Sequence, residues 1–273
     1  MTGDPAEGGF DRSSGRDLYG QDPAAYDAGR PRYPERVYEV LRHGCGLGDG
    51  SRVLEIGPGT GLVTRPLLSS GAVVVGVEPN PSLAAFLHES LRDAELEVVV
   101  APFEDALLPE GTFDLAVAAT SFHWVDQHDG LHKLRRLLHP GGWVAIWWML
   151  FEDPNTLDDF AAAAQTVLGV SPPIIEPGRP PFQIDETARC AGLRDAGFVN
   201  VQSELIRTEQ DFDAGAVRAL YATMAVVLRR PAHEQTCALD ALEALVQRDF
   251  GGHVTRPFLT VMYTAQRPTS PKR

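Results

Sequence analysis

Residues 53–61 read Val-Leu-Glu-Ile-Gly-Pro-Gly-Thr-Gly, and a second short apolar run at 73–77 ends in Glu78. Gly57, Gly59 and Gly61 let the chain turn sharply and approach a ligand closely, because no Cβ intervenes. Glu78, at the tip of a neighbouring strand, is placed to accept both hydroxyls of a ribose. The spacing is G-x-G-x-G, not the G-x-G-x-x-G that seats a pyrophosphate on a helix N-terminus. Glu55, two residues before the first glycine, would repel a pyrophosphate and suits a ligand that carries an ammonium group. Further along, His123 has a ring whose ordinary pKa of about 6.5 suits proton transfer near neutral pH. Trp124, Trp147, Trp148 and Phe151 could stack on a planar molecule or on a cation.

These residues need elements to hold them. Short apolar runs at 52–56, 73–77, 97–100, 113–119 and 143–148 alternate with amphipathic stretches at 61–69, 81–92 and 130–138. That alternation predicts a parallel sheet covered on both faces. The right-handed crossover rule then puts the carboxyl ends of the strands, and the ligand crevice, on one edge. A helix is expected from Pro34 to about Cys45, with Val37, Val40 and Leu41 on one face. Pro140-Gly141-Gly142 is expected to stop the helix before the fifth strand. Trp147 and Trp148 are adjacent on that strand, so they face opposite ways and one of them belongs to the core. Later, helices are expected at 154–168, 186–196, 214–229 and 233–248, strands at 199–206 and 258–265, and a proline-rich loop at 171–182.

Glu55-Ile-Gly57-Pro-Gly59-Thr-Gly61 resembles motif I of the class I S-adenosylmethionine-dependent methyltransferases. Tyr26-Asp-Ala-Gly-Arg30-Pro-Arg-Tyr33-Pro34, Phe103-Glu104-Asp105, Gly111-Thr-Phe-Asp114, Ser121-Phe-His123-Trp124 and Leu138-His-Pro-Gly-Gly142 follow in the order that family shows. The resemblance spans residues 22 to about 150. It is similar to the small-molecule branch, the trans-aconitate methyltransferase-like group and tailoring enzymes of secondary metabolism. It implies an α/β, doubly wound, Rossmann-like sheet of seven strands in the order 3-2-1-4-5-7-6, the last pair antiparallel. Helical insertions at 214–248, together with 151–183, are expected to form a partial lid over the substrate.

The resemblance also implies roles. S-adenosyl-L-methionine would be the cofactor and S-adenosyl-L-homocysteine the product. Glu55 would face the methionine ammonium or order the glycine loop; Gly57 and Gly59 would pass close to the cofactor chain. Glu78 would bind the ribose, and Pro79 and Asn80 would lie along the adenine. An acid after the third strand would read the adenine amine, with Glu104 and Asp105 both candidates. Thr120 would stand beside the reactive methyl. His123 is either the general base or a histidine bonded to a backbone carbonyl. Tyr33, His123, Trp124 and Trp148 would meet the substrate. Arg30 would pair with the cofactor carboxylate under Tyr26, unless this segment is a surface arm. The alternative activity is a cofactor-binding chain that does not transfer methyl, catalysing a cyclisation or rearrangement or sensing a ligand.

The 273 residues are 44% hydrophobic, enough for one large α/β core. The expected division is a disordered tail at 1–21, a cofactor-binding core at 22–150, remaining strands with cap insertions at 151–267, and a tail at 268–273. A net charge of −13 repels nucleic acid and favours a small-molecule methyl acceptor. Cys45, Cys190 and Cys237 form no C-x-x-C pair, so neither a disulfide framework nor a metal site is expected. The N-terminus has no apolar signal region, and no stretch of about 18 apolar residues occurs. A cytoplasmic monomer or homodimer that binds neither membrane nor nucleic acid is the expectation.

Overall fold

The computed structural model describes residues 18–152, 158–171 and 180–269. Most of the two expected tails, the middle of the proline-rich loop and the first residues of the helix expected at 154–168 lie outside them. Seven strands form one sheet in the order β3-β2-β1-β4-β5-β7-β6. They are β1 (Arg52–Ile56), β2 (Val73–Val77), β3 (Leu96–Val99), β4 (Phe113–Ala119), β5 (Leu138–Leu150), β6 (Val199–Asp213) and β7 (His253–Gln266). β1 to β5 run parallel, and β7 is antiparallel to both β5 and β6.

Residue parity along the strands sorts the core into two layers. Val53, Val74, Leu115 and Trp147 pack on one face with Val37 and Leu41 of α2 (Glu35–Gly44) and Leu67 of α3 (Thr64–Ser69). Leu54, Val75, Ala116 and Trp148 pack on the other, against Leu131 and Leu134 of α5 (Gln127–Leu137) and Leu193 of α7 (Glu186–Asp195). The two tryptophans therefore do divide between faces. Between β2 and β3 lies α4 (Pro81–Ser90), and α1 (Pro23–Gly29) precedes the sheet.

The later strands are longer than their apolar runs. β5 begins at Leu138, and Pro140-Gly141-Gly142 lies inside it instead of before it. The register against β4 shifts between Phe113 and Leu115, and a Cβ on Gly142 would come 3.0 Å from the carbonyl oxygens of Phe113 and Asp114. This is a bulge that favours glycine, because the backbone of β4 passes close to where a side chain would start.

β6 and β7 pair beyond the end of β5, with Thr208–Asp213 lying opposite His253–Phe258. This extended arm carries a third core. Phe212, Val254 and Phe258 pack with Phe160 of α6 (Asp159–Leu168), with Val217 and Leu220 of α8 (Ala214–Ala222), and with Leu242 and Val246 of α10 (Ala232–Asp249). The helix expected at 214–229 breaks in two: Met224 is extended before α9 (Ala225–Leu228), and Thr223 at the break bonds its hydroxyl to Leu220 O (2.6 Å). Among the described residues, no helix is long and apolar enough to cross a membrane.

Candidate active site

The carboxyl ends of β1, β2 and β4 open into a cavity of about 400 Å³. The turn after β1 is its floor. Gly57, Gly59 and Gly61 all have positive φ, between +58° and +91°, which L side chains rarely adopt. A Cβ on Gly57 would also lie 2.6 Å from Ser121 Cβ. Gly57→Ala is expected to cost about 2–4 kcal/mol of stability, from the unfavourable φ plus the overlap. Thermal unfolding checks this; an unchanged Tm would mean the turn relaxes freely.

Two carboxylates face the cavity. Glu78 is 4% exposed, and it accepts from Gly59 N (3.0 Å) and Asn80 N (2.9 Å). These bonds tie the glycine turn to the tip of β2 and use one lone pair on each oxygen. Glu55 is 2% exposed and accepts from Thr64 Oγ1 at 2.7 Å. Burial, reinforced by the neighbouring Glu78 charge, pushes its pKa up to about 7, against the pull of the Thr64 bond. Pro79 also lines the cavity, whereas Asn80 caps α4, its Oδ1 accepting from Ser82 N and Leu83 N.

The end of β4 forms the centre. Thr120 has φ +51°, an uncommon conformation for a β-branched residue. Three bonds hold it: its N–H to Trp147 O (2.7 Å), its hydroxyl to Tyr33 OH (2.9 Å), and Met149 N to its hydroxyl (3.3 Å). The following short turn, Phe122–Trp124, presents His123 and Trp124. His123 Nδ1 accepts from Trp148 Nε1 at 3.1 Å. Burial lowers its pKa to about 4, so the expected titration near neutral pH is corrected: desolvation disfavours the imidazolium here.

The N-terminal segment closes one side. Arg30 lies 4.9 Å from the Tyr26 ring centre and 4.8 Å from that of Phe151, and its Nη2 donates to Thr223 O (2.8 Å). Its Nε is buried without a hydrogen-bond partner, as is the hydroxyl of Thr60 on the floor. Among the described residues no carboxylate pairs with Arg30. Tyr33 stacks edge-on to Trp147 (5.8 Å), and burial raises its phenol pKa.

The structure thus brings Tyr26, Arg30, Tyr33, Glu55, Gly57, Gly59, Glu78, Pro79, Thr120, His123, Trp124 and Trp148 around one cavity. It does not bring Glu104 or Asp105 there. Both are exposed, because Lys133 Nζ gathers the carbonyls of Phe103, Glu104 and Ala106 and turns the loop so that Phe103 lines the cavity instead. Sequence reasoning missed Phe103, for want of any periodic signal in a loop. It also missed Met224 and Ala225, which reach the mouth only through the α8–α9 break, and Tyr19, which packs against Tyr26 (5.7 Å) although it falls in the expected tail.

The lining fits a nucleoside with an amino-acid tail. It offers a backbone cradle, a buried acid at the strand tip to face vicinal hydroxyls, a second acid that a cation would ionise, and a guanidinium whose buried Nε has no hydrogen-bond partner, for a carboxylate. Comparison with known proteins agrees with that chemistry. Residues 54–146 match a family model described as a methyltransferase domain. An uncharacterized methyltransferase of Mycobacterium tuberculosis is 30% identical over 141 residues, 52% of this chain and 53% of that one. The chain thus spans about half the length of the first curated relatives it matches. A putative type II methyltransferase from Anaeromyxobacter dehalogenans has the same fold (TM-score 0.61, 21% identity, covering 88% of this chain and 99% of that one). So does phosphoethanolamine N-methyltransferase 2 of Haemonchus contortus, solved in complex with S-adenosyl-L-methionine (TM-score 0.57, 15% identity, 91% and 57%).

Proposed function

We propose that this chain, a class I methyltransferase in family and fold, binds S-adenosylmethionine and transfers its methyl group to a small molecule, a secondary metabolite in the reading we favour. The observation that carries the proposal is the meeting of Glu55, Glu78 and the Gly57–Gly61 turn in one cavity with His123, Trp124 and Trp148.

The cofactor would supply an electrophilic methyl on a sulfonium. Glu78 would take the two ribose hydroxyls on its carboxylate. Glu55 would sit opposite the ammonium, and Arg30 would offer its unpartnered Nε to the carboxylate. Phe103 would pack on the adenine. Thr120, held in its strained conformation, would set the height of the β4 end beside the methyl. The acceptor would enter between Trp124, Trp148, Met149 and the Met224–Ala225 break, where the cap covers the mouth.

An enclosed, aromatic mouth suits a small acceptor, and a net charge of −13 disfavours nucleic acid. Displacement in line at a sulfonium needs alignment above all, which a rigid strand end and a cap can provide.

Calorimetric titration with S-adenosylmethionine, with NAD in parallel, tests the binding. Micromolar binding to the first and none to the second is expected, and the reverse would overturn the proposal. Accumulation of S-adenosylhomocysteine with an acceptor then separates methyl transfer from a chain that only holds the cofactor, as a cyclase or sensor would.

A further inference from the structure

The bond between Trp148 and His123 has a consequence for which acceptors can react. An indole Nε1–H donates and never accepts. At 3.1 Å from it, His123 Nδ1 must therefore present a lone pair. In the neutral ring the proton then resides on Nε2. Protonating Nδ1 would set two N–H groups against each other. The indole is held against swinging away: Phe182 packs edge-on at 5.6 Å and Tyr263 at 6.3 Å, and Tyr263 OH is itself tied to Gln183 O (3.0 Å). His123 is desolvated and stacked on Trp124 at 4.7 Å. Around it, β5 brings Trp148 and Met149. The titratable and charged groups on the same cavity are Tyr19, Tyr26, Arg30, Tyr33, Glu55 and Glu78. None of these acts appreciably on His123, whose lowered basicity comes from burial alone.

We propose that His123 works as a fixed neutral donor, its Nε2–H holding the oxygen of an acidic hydroxyl, a phenol or enol, that reacts as its anion, and that Trp148 is the positioning residue that imposes this state. The acceptor class rests on the methyl-transfer reading; the state of the ring does not.

The reasoning on the acceptor runs through the proton. A ring with one nitrogen committed and the other already protonated removes nothing from an incoming group. Among the described residues, the carboxylates that line the cavity are Glu55, near the end of β1, and Glu78, just past the end of β2, both on the cofactor side. An alkylammonium would keep its proton and stay unreactive. An acidic hydroxyl loses its proton to bulk water before the step. Its oxygen pair then forms the new C–O bond as the S–CH₃ bond breaks, and the electrons of that bond stay on sulfur, leaving a neutral thioether. A donor at Nε2 favours the anion over the neutral hydroxyl and so lowers the acceptor's own pKa.

Long-range proton–nitrogen NMR on protein labelled at histidine nitrogen tests the ring state without cofactor or turnover. His123→Gln identifies the signal among the eight histidines. The wild-type spectrum is expected to show the Nε2–H form unchanged from pH 8 to about pH 5, and Trp148→Phe, which keeps the ring buried but removes the N–H donor, to give mixed tautomers over the same range. An Nδ1–H form, or a wild-type titration near 6.5, would overturn the proposal. The wild-type spectrum decides this alone, so a Trp148→Phe chain that fails to fold does not blunt the test.

The acceptor class is read by calorimetry on protein loaded with S-adenosylhomocysteine, using 4-nitrophenol and 4-nitroaniline as matched probes. Binding of the phenolate at least tenfold tighter, lost in His123→Ala, is expected. Equal binding, or binding of neither, overturns the acceptor class while the ring state stands. Failure to bind S-adenosylhomocysteine at all would instead strike the methyl-transfer reading.

Discussion

Glu78→Ala is expected to raise the dissociation constant for S-adenosylmethionine by about 100-fold. Two charge-assisted bonds to vicinal hydroxyls contribute about 1.5–3 kcal/mol each, and even the lower pair, about 3 kcal/mol, is a factor somewhat above 100. A further loss is built in. Glu78 also accepts from Gly59 N and Asn80 N, so the alanine variant unties the turn it should be reading from. Glu78→Gln separates the two effects. Its amide oxygen can keep one of those backbone bonds while the charge is gone, so its affinity should fall between wild type and alanine. Calorimetry on the three proteins decides. Undiminished binding by the alanine variant would remove Glu78 from the ribose site.

The second large effect concerns pH. Glu55 in the free protein has a pKa of about 7, raised mainly by burial. A cationic ammonium placed against it favours the carboxylate and lowers that pKa in the complex. Binding therefore releases a proton wherever the free protein is protonated and the complex is not. Affinity should rise with pH until about 7 and level off above it. Below 7 it should fall about tenfold per unit, or about 100-fold between pH 7 and pH 5, because each unit deepens the protonation that binding must reverse. Titrations in buffers of different ionisation enthalpy should show close to one proton released at pH 6. Glu55→Gln should flatten the profile. A pH-independent wild-type affinity would mean that Glu55 keeps its proton and only orders the turn through Thr64.

Much of this site was legible in the sequence because its parts lie where local rules are strict. A glycine turn after a buried strand, an acid at the next strand's tip, and two tryptophans of opposite parity leave few geometries open. The sheet order came from a family resemblance, and the pairing bears it out. What escaped is instructive in each case. The segment 207–213, Arg-Thr-Glu-Gln-Asp-Phe-Asp, is too polar to read as strand. It pairs because one side of the arm faces water while Phe212 alone anchors it inward. The break at Thr223–Met224 carries no glycine or proline to signal it; it is marked by an extended Met224 and a hydroxyl bonded back onto Leu220 O, neither of which has a periodicity to detect. The outward turn of Glu104 and Asp105 depends on Lys133, which is distant in sequence. The ring state of His123 depends on Trp148, a contact of 25 positions' separation that spacing could not reveal.

Helices α8 to α10 stand on the prolonged β6–β7 ribbon and share a core with α6. Phe212, Val217, Leu220, Leu242 and Phe258 bury one another, and Met149 and Phe258 join that cluster to the sheet. Residues 207–258 together with α6, whose Phe160, Ala164 and Leu168 belong to the same cluster, therefore form a cartridge seated on the sheet. Exchanging that cartridge between chains of this fold should change which molecule is admitted while cofactor handling stays with β1, β2 and β4. Substrate range in such a protein can be inherited as a block, independently of the chemistry it feeds.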